Sequence, residues 1–204
     1  MREKARAIND LHNKVADFCS RGRTRREVEL RRLNCRNRPL PLMVIGDQDS
    51  NIWLSLGNVW QKFRDVPFQC SNYSVCPNSA GFVVTGGCRG QSDVQANCYQ
   101  YNAFHDRWEE LPSMNTPRSC HGSTCSNGLM YVVGGKNGNL HLKSVEKLSL
   151  ETTRWTELPL LPQATTLPYV VVVSRRLFVL GSSYSPETYE FIPNRNVWQS
   201  RHPI

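Results

Sequence analysis

Cysteine has the widest possible chemistry of any residue type in this sequence, because a thiolate can bind zinc, form a disulfide or attack an electrophile. The chain contains eight cysteines. Zinc sites commonly use Cys-x-x-Cys pairs or two histidines a few residues apart, and neither pattern is present. The cysteines that lie nearest to each other are Cys70/Cys76, Cys88/Cys98 and Cys120/Cys125, and none of these pairs has the Cys-x-x-Cys spacing. The sequence therefore predicts no metal site and thiols that stay reduced.

Redox sensing by cysteines remains an alternative. The thiols near predicted loops are Cys88, Cys98, Cys120 and Cys125. A sensing thiol needs a lowered pKa and exposure to solvent, and no sequence pattern indicates either property. We therefore expect buried or unreactive thiols.

The residues that commonly perform catalysis do not form a recognisable set. The five histidines are scattered along the chain, at His12, His105, His121, His141 and His202. The G-x-S-x-G motif of a serine nucleophile is absent. The sequence therefore predicts no catalytic residue, no cofactor and no small-molecule substrate.

One pattern of apolar, glycine and aromatic residues recurs along the chain. In its clearest copy, an apolar strand from Gly81 ends at Gly86-Gly87, and Tyr101 precedes Trp108 by seven residues. The next copy lies 47 to 48 residues downstream, and a period of this size is typical of repeat architectures. The corresponding pairs are Trp53/Trp60, Tyr101/Trp108, Leu148/Trp155 and Phe191/Trp198, and the second glycine pair is Gly134-Gly135.

Each period is predicted to contain four short antiparallel strands, two before the end of the glycine pair and two carrying the aromatic residues. Further strands are expected near 70–77, 120–125 and 168–174. A four-stranded sheet has two apolar faces, so it must stack on its neighbours, and the Tyr and Trp rings supply contact area. Four strands are the content of one β-propeller blade. We predict an all-β fold over 42–204 with about four blades.

The N-terminal part of the chain has a different pattern. Residues 1–19 carry apolar side chains at three- and four-residue steps, and Thr24–Glu27 matches a helix capping box. A basic helical segment is therefore predicted over 1–34. A stiff, proline-containing linker is predicted over 35–41.

The positive charge is concentrated in the same part of the chain. Residues 1–40 contain twelve Lys or Arg and five Asp or Glu, which accounts for +7 of the net charge of +8. Clustered cations could bind nucleic acid or an acidic membrane through residues 1–38. The arginines alternate with acids and no aromatic residues interleave with them, so solvated helix faces are the alternative interpretation.

The sequence predicts no membrane span and a cytoplasmic protein. The charged N-terminus lacks the apolar region of a secretory signal. The longest apolar run, Tyr169–Val173, is far too short to cross a bilayer.

The repeat resembles the Kelch repeat. The resemblance rests on the two glycine pairs, on Tyr101 with Trp108, and on the lead-in Pro117–Gly122 before the second glycine pair. It implies propeller blades, and Kelch propellers usually have six or seven of them. With four copies, the chain is expected to be part of a longer protein whose ring is incomplete here.

The basic lead-in before the repeats is similar to the end of the BACK domain in BTB–BACK–Kelch proteins. That resemblance implies substrate recruitment for a cullin-RING ubiquitin ligase, with cullin binding through a BTB domain that is absent from this chain. The alternative within the binding class is a Kelch scaffold for actin.

The resemblance also implies a binding surface formed by loops at one end of the blades. Carried over by position, the partner-binding loops contain Cys88, Arg89, Gly90, Ser119, Cys120, Lys136 and Asn137. Arg89 and Lys136 could receive an acidic side chain of a bound peptide. Arg118 is expected to be structural.

Overall fold

The computed structural model describes residues 42–46, 52–56, 59–62, 67–90, 92–102, 105, 107–181 and 187–201. The strands up to residue 62 are described by their backbone only. The predicted helical segment 1–34 and linker 35–41 lie outside the described residues.

The described residues form antiparallel sheets, and the prediction of an all-β fold is confirmed for them. The first sheet has the order β1-β2-β3, with β1 (Leu42–Gly46), β2 (Ile52–Leu56) and β3 (Val59–Lys62). The second sheet begins with β4 (Ser74–Asn78) and β5 (Gly81–Thr85). A two-stranded ribbon follows, made of β6 (Cys88–Arg89) and β7 (Asp93–Val94). The second sheet is completed by β8 (Cys98–Asn102) and β9 (Arg107–Leu111), in the order β4-β5-β8-β9.

The third sheet repeats this plan. It contains β10 (Gly122–Ser126) and β11 (Leu129–Val133), then the ribbon of β12 (Lys136–Asn137) and β13 (Leu140–His141), then β14 (Val145–Ser149) and β15 (Arg154–Leu158). The fourth sheet contains β16 (Tyr169–Val173), β17 (Arg176–Leu180), β18 (Thr188–Ile192) and β19 (Val197–Arg201), with a 3-10 turn at Pro193–Arg195. Both sheets are hydrogen-bonded in chain order.

The repeat pattern places an aromatic or apolar residue opposite a tryptophan in three of the four sheets. The cross-strand pairs are Tyr101 with Trp108, Leu148 with Trp155, and Phe191 with Trp198. Four residues separate the paired strand ends in each of these hairpins, so a spacing of seven brings the two side chains into register.

The first copy departs from this prediction in two respects. Its sheet has three strands among the described residues rather than four. In addition, Trp60 lies opposite Ser55, and Trp53 lies opposite Lys62. Only two residues separate the paired ends Leu56 and Val59, so the same spacing of seven no longer puts the two tryptophans opposite each other.

The sheets stack so that their first strands are neighbours, β1 with β4, β4 with β10, and β10 with β16. Three apolar clusters fill the stack. One covers the Tyr and Trp face of the second sheet, where the Tyr101 and Trp108 rings lie 5.6 Å apart with Phe82 beside them. A second cluster joins the second and third sheets, and a third joins the third and fourth sheets. The second, third and fourth sheets thus bury apolar faces against their neighbours.

Two tryptophans also connect the third and fourth sheets to the segments that precede them. The indole Nε1 of Trp155 donates a hydrogen bond to the carbonyl oxygen of Pro112, and Trp198 Nε1 donates to the carbonyl oxygen of Pro159, both at 2.7 Å. The apolar body of the ring packs in the stack while its N–H finds an acceptor.

The predicted role of the glycine pairs in tight turns agrees with their geometry. Gly86 and Gly134 both have φ of +60°, in the left-handed region. A Cβ on Gly86 would lie 2.2 Å from the carbonyl oxygen of Arg118, and one on Gly134 would lie 2.5 Å from that of Thr165. The backbone of the next connecting segment therefore needs these positions to lack a side chain.

Candidate protein-binding face

The predicted loops after the glycine pairs are short two-stranded ribbons. The first ribbon pairs Arg89 with Asp93, and the second pairs Lys136 with His141. Gly90 and Gly138 lie at the two tips with φ of +68° and +61°. Strands of two residues carry no hydrophobic alternation, so sequence patterning had no means of predicting them.

Each ribbon is hydrogen-bonded to the segment that leads into a sheet. Ser71 and Cys88 exchange backbone N–H···O bonds of 2.9 and 2.8 Å. Ser119 and Lys136 exchange two bonds of 2.8 Å in the same way. The structure therefore brings together Ser119 and Lys136, which the sequence placed in two separate loops.

The lead-in segments are also bonded to one another from repeat to repeat. Asn72, Cys120 and Leu167 occupy the same place in three successive repeats, and each has a left-handed φ between 52° and 56°. The N–H of Cys120 donates to the carbonyl oxygen of Asn72, and the N–H of Leu167 donates to that of Cys120, both at 2.8 Å. We call this set of three the connector ladder. Sequence reasoning missed it, although the spacing of 48 and 47 residues follows the repeat.

The predicted site residues divide into an accessible group and a buried group. We call the accessible group the ribbon face; it consists of Arg89, Gly90, Cys120, Lys136 and Asn137. By contrast, Cys88 is 9% exposed and Ser119 is 6% exposed. The two buried residues hold the ribbons against the lead-in segments through their backbones, whereas the residues of the ribbon face are partly or fully exposed to solvent.

Redox sensing by a reactive thiolate needs a lowered pKa, whereas the pKa values of two of the candidate thiols are raised. Burial raises the pKa of Cys98 to about 12. Burial also raises the pKa of Cys120, and nearby Lys136 only partly offsets that effect. Cys98 and Cys125 lie in strands β8 and β10 rather than in loops. These three cysteines therefore do not fit the hypothesis of activated sensor thiols.

Comparison with known proteins agrees with this architecture. The family model described as "Kelch motif" matches residues 117–161, from the lead-in of the third sheet to the segment after β15. The chain therefore contains a Kelch motif in its third sheet. The matched residues contain the glycine pair Gly134-Gly135 and the ribbon that follows it.

Kelch-like proteins are similar to a larger part of the chain. It is 27% identical over 128 residues to Kelch-like protein 25 of Xenopus laevis, across 58% of this chain and 22% of that protein. It is 30% identical over 96 residues to Kelch-like protein 41a of Danio rerio, across 47% of this chain and 16% of that protein. It is 24% identical over 144 residues to Kelch-like protein 40 of Xenopus tropicalis, across 69% of this chain and 24% of that protein. The chain thus spans about a quarter or less of the length of the curated relatives that it matches.

A buried ion pair anchors the lead-in of the Kelch motif. The side chains of Arg118 and Glu146 are 0% and 1% exposed and form a salt bridge. Arg118 Nη1 also donates to the carbonyl oxygen of Gly134 at 2.8 Å, which fixes the turn at the glycine pair. The Glu146 carboxylate accepts backbone N–H bonds from Asn115 and Thr116 at 2.7 and 3.1 Å. The predicted structural role of Arg118 is confirmed, whereas its partner Glu146 was not foreseen.

A buried histidine connects the second and third sheets next to this ion pair. His121 Nε2 and Thr85 Oγ1 are 2.8 Å apart, which links the third sheet to the end of β5. Burial, with a smaller effect from the Arg118 cation, lowers the pKa of His121 to about 3. The ring is therefore neutral at physiological pH, and it serves as a structural link.

Two further classes of site are absent from the described part of the chain. No group of three His, Cys, Asp or Glu side chains there could hold a metal ion. None of its helices is long and apolar enough to cross a membrane.

Proposed function

We propose that the chain is a non-enzymatic protein-interaction module whose ribbon face binds an acidic segment of a partner protein in the cytoplasm. The observation that carries this proposal is the pair of cationic side chains on two successive ribbons at the same end of the sheets. Arg89 is exposed and Lys136 is half-buried. A carboxylate would gain charge-assisted hydrogen bonds from both cations.

The rigidity of the surrounding backbone supports the proposal. The backbone bonds between Ser71 and Cys88 and between Ser119 and Lys136 hold each ribbon in place. The connector ladder fixes the spacing between the two ribbons. A surface ordered in advance loses little conformational entropy when it binds a peptide.

The test is recovery of partner proteins from a cell lysate by the purified chain. Arg89→Ala combined with Lys136→Ala is expected to weaken binding about a hundredfold and to reduce recovery accordingly, because two charge-assisted bonds of ~1.5 kcal/mol each are lost. The matched control is Arg154→Ala combined with Arg195→Ala, which removes two exposed cations from elsewhere on the molecule. Equal recovery by both double variants, with their circular dichroism unchanged, would refute the proposed face.

At the level of the whole protein, we propose that the stacked sheets belong to a β-propeller ring and that the ring recruits substrates for a cullin-RING ubiquitin ligase. The support is the resemblance to BTB–BACK–Kelch proteins and the similarity to much longer Kelch-like proteins. Co-purification of a cullin with a longer gene product that carries a BTB domain would test this role. Recovery of actin instead would favour the cytoskeletal scaffold.

A further inference from the structure

Two cysteines of neighbouring sheets meet in the stack. Cys76 belongs to β4 of the second sheet, and Cys125 belongs to β10 of the third sheet. Their Sγ atoms are 2.8 Å apart, and both residues are free cysteines. Non-bonded atoms usually rest about 3.5–4.0 Å apart, so these two sulfurs are in unusually close contact.

The contact is part of a regular alignment of the two strands. Two residues before it, Ser74 Oγ and Ser123 Oγ lie 2.7 Å apart. Both pairs are separated by 49 residues in sequence. Because side chains alternate between the faces of a strand, residues two apart share one face. The face of β4 that carries Ser74 and Cys76 therefore meets the face of β10 that carries Ser123 and Cys125.

The surroundings favour a bond between these two sulfurs over other pairings. Cys76 is 2% exposed, whereas Cys125 is only partly buried. The third thiol of the same apolar cluster, Cys98, lies on β8, and its Sγ contacts the carbonyl oxygen of Ala96 at 3.6 Å. Strand β5 separates β8 from β4 in the sheet.

We propose that Cys76 and Cys125 are an intramolecular disulfide site that links the first strands of two neighbouring sheets. The bond forms by exchange with a small disulfide such as oxidised glutathione. Less than ~1 Å of approach would bring the sulfurs to the bond length of about 2.0 Å. The link would close a loop of about fifty residues and would fix the second sheet to the third.

The reaction proceeds in two exchange steps. The Cys125 thiol, which is the more accessible, loses its proton and attacks one sulfur of oxidised glutathione, whose disulfide bond breaks. This gives a mixed disulfide on Cys125 and one glutathione thiolate, which takes up a proton. Cys76 then attacks the Cys125 sulfur and releases the second glutathione. Two electrons pass from the two cysteines to glutathione disulfide, and two protons pass to the two glutathione thiolates.

The exchange is expected to be slow, because contact with Cys76 and burial raise the pKa of Cys125 and leave little thiolate at neutral pH. The experiment therefore follows the native full chain for many hours with oxidised glutathione. Remaining thiols are alkylated after unfolding, the chain is digested without reductant, and the peptides are analysed by mass spectrometry. The expected product is a Cys76 peptide linked to a Cys125 peptide, lighter than the two free peptides by two hydrogens.

Three variants separate the site from general effects on folding. Cys76→Ala and Cys125→Ala each remove the linked peptide, whereas Cys98→Ala, in the same cluster, retains it. The linked wild-type chain should melt higher than the reduced chain by roughly 5–15 °C. Detection of the linked Cys76 and Cys125 peptides in the wild-type chain tests the proposal even if a variant fails to fold. Full alkylation of both cysteines, a mixed disulfide that stops at Cys125, or a link to another cysteine would overturn the proposal.

Discussion

At the scale of single residues, the Arg118–Glu146 ion pair is almost completely buried. Removing one partner of a buried pair leaves an uncompensated charge. We therefore expect Arg118→Leu to lower the free energy of unfolding by about 3–5 kcal/mol in urea denaturation. The control is Arg176→Leu, because Arg176 is 55% exposed and its partner Glu190 keeps the second cation, Arg201. The control should cost less than about 1 kcal/mol.

A double variant tests whether the lost charge pairing is the cause. Arg118→Leu combined with Glu146→Leu leaves neither charge in the core. Its loss of stability should be smaller than the sum of the two single losses. Strictly additive losses would show that side-chain packing, rather than the unpaired charge, explains the effect.

His121 provides a prediction about pH. Its folded-state pKa of about 3 lies below the usual value of about 6.5 in an unfolded chain. The unfolded state therefore binds the proton first, and stability that is fully present above about pH 6.5 is lost as the pH falls toward 3. Below the unfolded-state pKa, the loss of unfolding free energy due to His121 approaches roughly 1.4 kcal/mol for each unit by which the pH falls.

The measurement compares urea denaturation of the wild type and His121→Gln between about pH 6.5 and pH 5, a window that lies above the usual carboxylate pKa values. Gln keeps a polar group near Thr85 but does not titrate. The variant should lose less stability than the wild type as the pH falls through this window. Parallel curves for the two proteins would mean that the buried ring does not produce the dependence.

At the scale of secondary-structure elements, the glycine turns and the ribbon tips allow a matched comparison. Gly134 and Gly138 have nearly the same φ, +60° and +61°, so a Cβ carries a similar conformational cost at both positions. A Cβ added at Gly138 would have no atom within 4 Å of it, whereas at Gly134 the Thr165 backbone would lie 2.5 Å away. The difference in stability between the two alanine variants therefore measures the effect of the close approach of the Thr165 backbone to Gly134.

We expect Gly138→Ala to cost about 1–2 kcal/mol and Gly134→Ala more than about 3 kcal/mol. Chemical denaturation of both variants under the same conditions checks this. Equal losses would show that the left-handed backbone, rather than contact with the following segment, explains the need for glycine at Gly134.

The strands could be predicted from the sequence because the residues that mark each strand and turn lie close together along the chain. The Gly86-Gly87 pair and the seven-residue step from Tyr101 to Trp108 mark one turn and one hairpin, and each follows from neighbouring residues. The same step failed for Trp53 and Trp60, because register depends on hairpin length as well as on aromatic spacing.

At the scale of the whole molecule, contacts between sheets were beyond sequence reasoning. The contact between Cys76 and Cys125 spans 49 residues, whereas the glycine pairs repeat every 48. Only the offset between neighbouring sheets, set by their packing, determines which residues of β4 and β10 meet. The partner of Arg118 was missed for the same reason, because 28 residues separate it from Glu146 and only the fold of the third sheet brings the two together.

For the candidate binding face, too, one part could be predicted from sequence and another part depends on the fold. The resemblance to Kelch repeats placed Arg89 and Lys136 in the loops that follow the two glycine pairs. Their shared end of the molecule depends on the bonds that join each ribbon to a lead-in segment. Position in the repeat could be predicted from sequence, whereas the burial of Cys88 and Ser119 beneath the face required the three-dimensional arrangement.

The connector ladder has a consequence for how the repeat can diversify. Asn72, Cys120 and Leu167 bond to one another through backbone atoms, so the ladder constrains φ, and its own hydrogen bonds require no particular side chain. The ribbon tips at Gly90 and Gly138 project into open space. Residues that tolerate a left-handed φ can therefore be exchanged along the ladder, and segments can be inserted at the tips, without changing the spacing of the sheets. The scaffold separates the part of the repeat that evolution must preserve from the part that it can use to acquire new partners.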